Sequence, residues 1–245
     1  MPPSILPVLF SIDEVRASTE ILSRFESVSI VVKVSKDGKE FAVKFGVDVD
    51  LVEAETLAFV ELSTKSIDVP VPKIFGTMID PNTHEKFIVM EYIESQNLTD
   101  IWEHLTPGEV YAVEKQLAQA FESLRKIKPN SYHGRNGYFG RVNTKPFNHI
   151  FWTPGQSGPF LTEMEFNEGI LKALEKTENN SYISILRNFM SYTLIRHTKR
   201  FTHGNLRPRH IMVRRTSTTD CGHNRTNGVI GSGVEIAIID WKMAG

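Results

Sequence analysis

Two polar clusters near the C-terminal end of the sequence, each set against an apolar run, constrain this chain more than any other feature. The first, Phe201-Thr202-His203-Gly204-Asn205-Leu206-Arg207-Pro208-Arg209-His210, leads into Ile211-Met212-Val213. The second, Glu235-Ile236-Ala237-Ile238-Ile239-Asp240-Trp241, is an apolar run that delivers one carboxylate at its end. Short apolar, β-branched runs bounded by polar residues read as strands. Between them, residues 216–233 are long, polar and glycine-rich where a short turn would suffice. Asp220, Cys221, His223 and Asn224 lie in that stretch, but one Cys and one His do not fill a tetrahedral metal shell, and it reads as an insertion.

The order and spacing of the two clusters resemble the aminoglycoside phosphotransferase and choline kinase branch of the protein-kinase-like superfamily. Fungal members of that branch carry a catalytic loop H-G-D-L-x-P-x-N-I and a metal motif I-I-D-W-E-x-A-G. The resemblance implies an α+β, two-lobed protein-kinase-like fold. Residues 1–93 would form a small antiparallel-β nucleotide-binding lobe with one helix, and residues 94–245 a larger, mainly helical lobe holding the catalytic loop and metal motif. It also implies ATP-dependent phosphoryl transfer to the hydroxyl of a small-molecule acceptor, with ATP and Mg²⁺ or Mn²⁺ as cofactors. In that chemistry an acid on the loop takes the proton of the attacking hydroxyl. A residue five positions later holds the metal, and a second acid after the next hairpin holds it across the phosphates.

Those three positions are Asn205, His210 and Asp240, and only Asp240 is what the pattern requires. A carboxamide cannot act as a base, and imidazole prefers transition metals to the oxygen-seeking Mg²⁺. The sequence therefore reads as a phosphotransferase whose activity is weak or lost. The alternative is a pseudokinase that binds nucleotide or a protein partner without turnover. By the same resemblance His203 is a scaffold residue of the loop and not a base.

Upstream, Ser29-Ile30-Val31-Val32-Lys33-Val34 and Phe41-Ala42-Val43-Lys44-Phe45 flank the turn signal Lys36-Asp37-Gly38-Lys39 and predict an antiparallel hairpin. Ala42-Val43-Lys44 fits the V-A-I-K strand, which makes Lys44 the phosphate lysine of the resembled family. Leu51, Ala54, Leu57, Ala58 and Val60 fall near helical spacing from Asp50 to Leu62. Matching E-A-x-x-L-x-F-V puts the glutamate that pairs with the lysine at Glu53, with Glu55 second. The competing reading is that Asp50-x-x-Glu53 starts a capping box and folds Glu53 back on its own helix. No glycine lies between Arg24 and Ser29, so a Gly-rich phosphate cover is absent.

Val69-Pro70-Val71-Pro72 leads into strands at 74–79 and 87–92. The second ends Met90-Glu91-Tyr92, and by resemblance the backbone of Glu91, Tyr92 and Ile93 meets the adenine. Thr106-Pro107-Gly108-Glu109 is a helix start with cap, Pro at the first position and Glu closing the box. An apolar stripe then runs from Val113 to about Ile127. Residues 132–160 read as connecting structure. Helices are expected at 163–177 and 182–197, the second behind the catalytic loop.

Composition narrows the partners. With 40% hydrophobic residues, 23% charged and a formal charge of −1 over 245 residues, the chain carries no general attraction for nucleic acid or an acidic membrane. The basic clusters at 196–200 and 207–215 read as solvated faces. A single cysteine excludes an intrachain disulfide framework and fits a reducing, cytoplasmic compartment. The apolar start lacks a cationic leader region and is broken by prolines, and no run reaches the roughly 18 apolar residues of a spanning helix. The sequence stops at Gly245, just after the metal motif, where resembled proteins continue through further helices. The expectation is an incomplete helical lobe with apolar surface open to a protein partner.

Overall fold

A computed structural model of the chain describes residues 10–25, 29–64, 69–127, 137–148, 151–152, 155–216 and 233–245. They fall into two compact units, one running to Ser123 and including Leu206–Asp240, the other Leu124–Asn205 with Trp241–Gly245.

The first unit is built outward from a hairpin. Asp37 and Gly38 both adopt left-handed backbone, with φ of 52° and 72°, as a two-residue turn between twisted strands needs. The turn sets Lys36 opposite Lys39 and keeps register through Ile30 and Phe45. The paired strands are β2 (Ser29–Lys36) and β3 (Lys39–Gly46). With β1 (Ile21–Phe25), β4 (Ile74–Ile79) and β5 (Lys86–Glu91) they form an antiparallel sheet of order β1-β2-β3-β5-β4.

β3 is central and covered on both faces, so the period-2 alternation of its side chains sorts them into two cores. Phe41, Val43 and Phe45 pack with Phe10, Val32, Phe87, Val89 and Val15 of a short helix, α1 (Ile12–Arg16). Each such buried side chain contributes about 1.5–3 kcal/mol. Ala42 points the other way and packs with Val49, Ile88, Met90 and Ala54, the last on helix α2 (Val52–Thr64). Parity therefore directs Lys44, two residues after Ala42, toward α2. On the far side, Arg16 donates to Asp80 at 2.7 Å and also pairs with Glu85. The Asn82 backbone N–H and the Arg16 guanidinium hold the Asp80 carboxyl down at about 2.

A second sheet in the same unit runs β6 (Gln96–Asn97), β7 (Ile211–Arg215), β8 (Val234–Ile238). Its apolar face packs on α3 (Leu98–Ile101) and on Ala112 and Val113 of α4 (Pro107–Lys126). The cap at Thr106 forms as its sequence predicts. Glu109 N–H donates to Thr106 Oγ1 at 3.3 Å, and Thr106 N–H donates to Glu109 Oε2 at 2.8 Å. Arg215 Nε adds a bond to Glu109 Oε1 at 2.7 Å and ties the helix start to β7.

In the second unit, α5 (Glu163–Leu174) and α6 (Asn180–Thr193) pack through Leu171, Ile183 and Met190. Both end earlier than the periodicity predicts. The glycine- and aromatic-rich segments before them have a structural role. Phe139 and Phe160 exchange backbone hydrogen bonds of 2.8 Å, and Phe139 stacks on Phe166 of α5 at 4.7 Å. Part of the basic cluster at 196–200 is likewise structural rather than solvated. Arg200 donates to the Arg125 carbonyl at 2.7 Å, and Lys199 to the carbonyls of Leu161, at 3.0 Å, and Gly137. The insertion with Asp220, Cys221, His223 and Asn224 lies outside the described residues. Among the described residues no helix is long and apolar enough to cross a membrane.

Candidate functional site

The β7–β8 hairpin brings the two sequence clusters side by side. Its register pairs Ile211 with Ile238, and one step further the Ile239 N–H donates to the His210 carbonyl at 2.9 Å. His210, just before β7, and Asp240, just past β8, thus become neighbours, with His210 Nε2 3.5 Å from Asp240 Oδ2. The Ile238 N–H reaches the Pro70 carbonyl at 2.8 Å, fixing the hairpin to the segment before β4. Asp240 has a φ of 64°. This left-handed conformation is costly for a residue with a Cβ but is tolerated by Asp, and it recurs where a side chain must be aimed.

Three buried charges meet there. Lys44 Nζ lies 2.6 Å from Glu53 Oε2 and 3.0 Å from Asp240 Oδ1, and each side chain is at most 8% exposed. The Glu53 carboxylate reaches across to the lysine. At the start of α2, Asp50 Oδ1 accepts from the Val52 N–H at 3.1 Å. Burial alone would lower the Lys44 pKa, yet the Glu53 carboxylate and then Asp240 override it and hold the ammonium well above its ordinary value. Two carboxylates thus share one ammonium in a low-dielectric setting, where such pairs interact strongly.

The remaining sequence candidates are placed as follows. Glu91 sits at the exposed end of β5, its carboxylate accepting from the Lys73 N–H at 3.2 Å. Tyr92 packs under the Lys33 ammonium, 4.6 Å from the ring centroid, and the Ile93 carbonyl accepts from Ser95 Oγ at 2.9 Å. Asn205 belongs to the second unit, where its N–H donates to His203 Nδ1 at 3.3 Å. The His203 ring is buried edge-on against Trp241, with centroids 4.6 Å apart. Gly204 has φ of 77°, and a Cβ there would sit 2.3 Å from the Met243 carbonyl oxygen. Thr202 and Gly245 exchange backbone hydrogen bonds of 2.9 and 3.1 Å, and Arg141 donates to the Lys242 carbonyl at 3.1 Å. The Gly-Asn turn and the Trp-Lys-Met-Ala-Gly tail are thereby locked to each other.

One site residue escapes the sequence reading. Arg209 Nε donates to His210 Nε2 at 3.1 Å. The run 207–215 reads as a solvated basic face, and the only signal for Arg209 is its adjacency to position 210. As for the metal that the resemblance implies, Asp240 fits Mg²⁺ as an oxygen donor. His210 does not, because Mg²⁺ takes oxygen ligands and dehydrates reluctantly.

No protein-family model and no curated protein matches the sequence. Solved structures do resemble it in fold. Aminoglycoside phosphotransferase APH(4)-Ia is 13% identical with a TM-score of 0.59, over 95% of this chain and 69% of that one. A thermostable mutant of the same enzyme, in ternary complex with ADP and hygromycin B, gives 13% identity and a TM-score of 0.60 over 95% of this chain and 70% of that one. The GDP complex of an aminoglycoside 2'-phosphotransferase IIIa mutant gives 14% and 0.52 over 92% and 66%. The chain therefore has the α+β, two-lobed kinase-like fold of the aminoglycoside phosphotransferases, and it spans about two thirds of the length of the structures it matches.

Proposed function

We propose that the chain binds ATP through Lys44, Glu53 and Asp240, as a cytoplasmic, aminoglycoside phosphotransferase-like protein directed at a small-molecule hydroxyl. The observation that carries the reading is the buried Lys44–Glu53 pair, 2.6 Å apart, with Asp240 at 3.0 Å from the same ammonium. A surface lysine ending a strand would have no reason to be buried between two carboxylates. In this reading residues 1–93 form the nucleotide lobe, with the Glu91–Ile93 backbone at the adenine, and residues 94–245 carry the catalytic loop. Two of the fold neighbours support the ligand class, being complexes with AMP-PNP or ADP together with hygromycin B. Transfer is weak or lost because Asn205 stands where the proton acceptor is needed. Calorimetry with ATP and a divalent cation tests the reading. Lys44→Ala and Asp240→Ala should each weaken binding about tenfold or more, or about 1.4 kcal/mol, and unchanged affinity in both would remove the assignment.

A second reading, a pseudokinase serving as a protein-interaction module, is favoured by α6. Tyr182, Ile185, Phe189 and Tyr192 recur at spacings of three and four on one helix face, and Tyr192 is 82% exposed. Restoring the acid separates the two readings, since general-base assistance is worth about 10²–10⁴-fold. Asn205→Asp should raise basal ATPase in a disabled enzyme and leave it at background in an interaction module.

A further inference from the structure

Resting on the nucleotide-site reading above, the pair His210 and Asp240 says which cation that site takes. The Arg209 Nε–H points at His210 Nε2 from 3.1 Å. A ring nitrogen accepting a hydrogen bond presents its lone pair on that side and no proton. The same nitrogen lies 3.5 Å from Asp240 Oδ2, with both side chains more than nine-tenths buried. His210 Nε2 and Asp240 Oδ2 therefore face one another away from water, while Lys44 engages the other carboxylate oxygen, Oδ1. A neutral imidazole nitrogen is a good donor to first-row transition ions and Zn²⁺ and a poor one to Mg²⁺.

We infer that His210 Nε2 and Asp240 Oδ2 together select a divalent transition ion, Mn²⁺ or Zn²⁺, over Mg²⁺, with nucleotide oxygens completing the shell. The spacing agrees. An ion roughly 2.0–2.2 Å from each atom at a tetrahedral angle sets them roughly 3.3–3.6 Å apart. The right angle of a Mg²⁺ octahedron at about 2.0–2.1 Å sets them only about 2.8–3.0 Å apart. The 3.5 Å observed matches the tetrahedral Zn²⁺ angle, while Mn²⁺, octahedral like Mg²⁺, is favoured over it through its greater affinity for the imidazole nitrogen. Among the described residues no third His, Cys, Asp or Glu joins the pair, which makes the nucleotide part of the site. Arg209 is exposed and can release Nε2 when the ion enters.

The test uses the whole chain with AMP-PNP, titrated in turn with Mn²⁺, Zn²⁺ and Mg²⁺ by calorimetry, together with pulsed electron paramagnetic resonance on the Mn²⁺ complex. The expected result is a preference for Mn²⁺ and Zn²⁺ over Mg²⁺ about tenfold beyond that of free AMP-PNP, and an imidazole nitrogen coupling in the Mn²⁺ spectrum. His210→Asn should lose the coupling and the added preference. The spectrum of the unaltered protein decides the matter even where His210→Asn fails to fold. AMP-PNP binding with no nitrogen coupling overturns the metal inference alone. Failure to bind AMP-PNP with any of the three ions overturns it together with the proposed function.

Discussion

Lys44 is held by two carboxylates rather than one, and that decides what its neighbours are worth. Removing one partner of a buried pair strands a charge and typically costs about 3–5 kcal/mol. In Glu53→Gln the ammonium keeps Asp240 at 3.0 Å, so the cost should fall below that range, at about 2–3 kcal/mol by urea unfolding. A loss under about 0.5 kcal/mol would mean that the pair is not maintained in solution. A second residue-level contrast uses two glycines with nearly the same backbone. Gly38 and Gly204 have φ of 72° and 77°, but a Cβ at 38 meets nothing within 4 Å, whereas at 204 it meets the Met243 carbonyl oxygen at 2.3 Å. Gly38→Ala should cost roughly 1–2 kcal/mol, from left-handed backbone alone, and Gly204→Ala roughly 3 kcal/mol or more, since the tail carrying Met243 must also move. Equal losses would show that the tail is not locked on the loop. At this scale the meeting of Lys44, Glu53 and Asp240 was legible in the sequence, because motif spacing groups them. Arg209 was not, because nothing in a run of arginines says which one bonds the histidine beside it.

Hairpins and caps are where local sequence and element agree most closely. Asp37-Gly38 forces a tight turn whatever surrounds it, and Thr106-x-x-Glu109 closes its box as written. The end of α6 was misjudged because apolar residues, Leu194 and Ile195, continue past the point where the backbone leaves the helix, and that of α5 because Glu175-Lys176-Thr177 contains no helix breaker. The first unit's helix start also carries a pH signature. The Arg215 guanidinium first, then the Thr106 N–H and hydroxyl, hold the Glu109 carboxyl down at about 2. A carboxyl lowered in the folded state adds stability that is fully present above its unfolded value, about 4.5, and is lost as pH falls through about 2. Glu109→Gln should therefore lower the melting temperature at pH 7, and its gap to the parent should shrink steadily as the pH is taken from about 4.5 toward 2. A gap independent of pH over that interval would assign the effect to packing and not to the Arg215 pairing.

On the scale of the whole molecule the two units differ in how much core supports them. Among the described residues, nine buried side chains, from Phe10 to Val89, form the cluster on one face of the first sheet, against three, Leu171, Ile183 and Met190, between α5 and α6. The strong β-branched runs of the first unit made its sheet readable in the sequence. The second unit depends on contacts among aromatics at 139, 147, 160 and 166, which carry no periodicity to read. Opening free energy follows buried apolar contact, so amides of β3 and β5 should exchange with solvent about a hundredfold more slowly than those of α6. Nucleotide binding at the proposed site should sharpen the contrast, since Lys44, Glu53, His210 and Asp240 all belong to the first unit. A ligand at about 100 times its Kd stabilises whatever binds it by about 2.7 kcal/mol. AMP-PNP with Mn²⁺ should then slow exchange in β3, α2 and the β7–β8 hairpin and leave α6 almost unchanged. Equal slowing in α6 would mean that the two units open as one, and that the binding energy reaches the second unit through the same opening reaction.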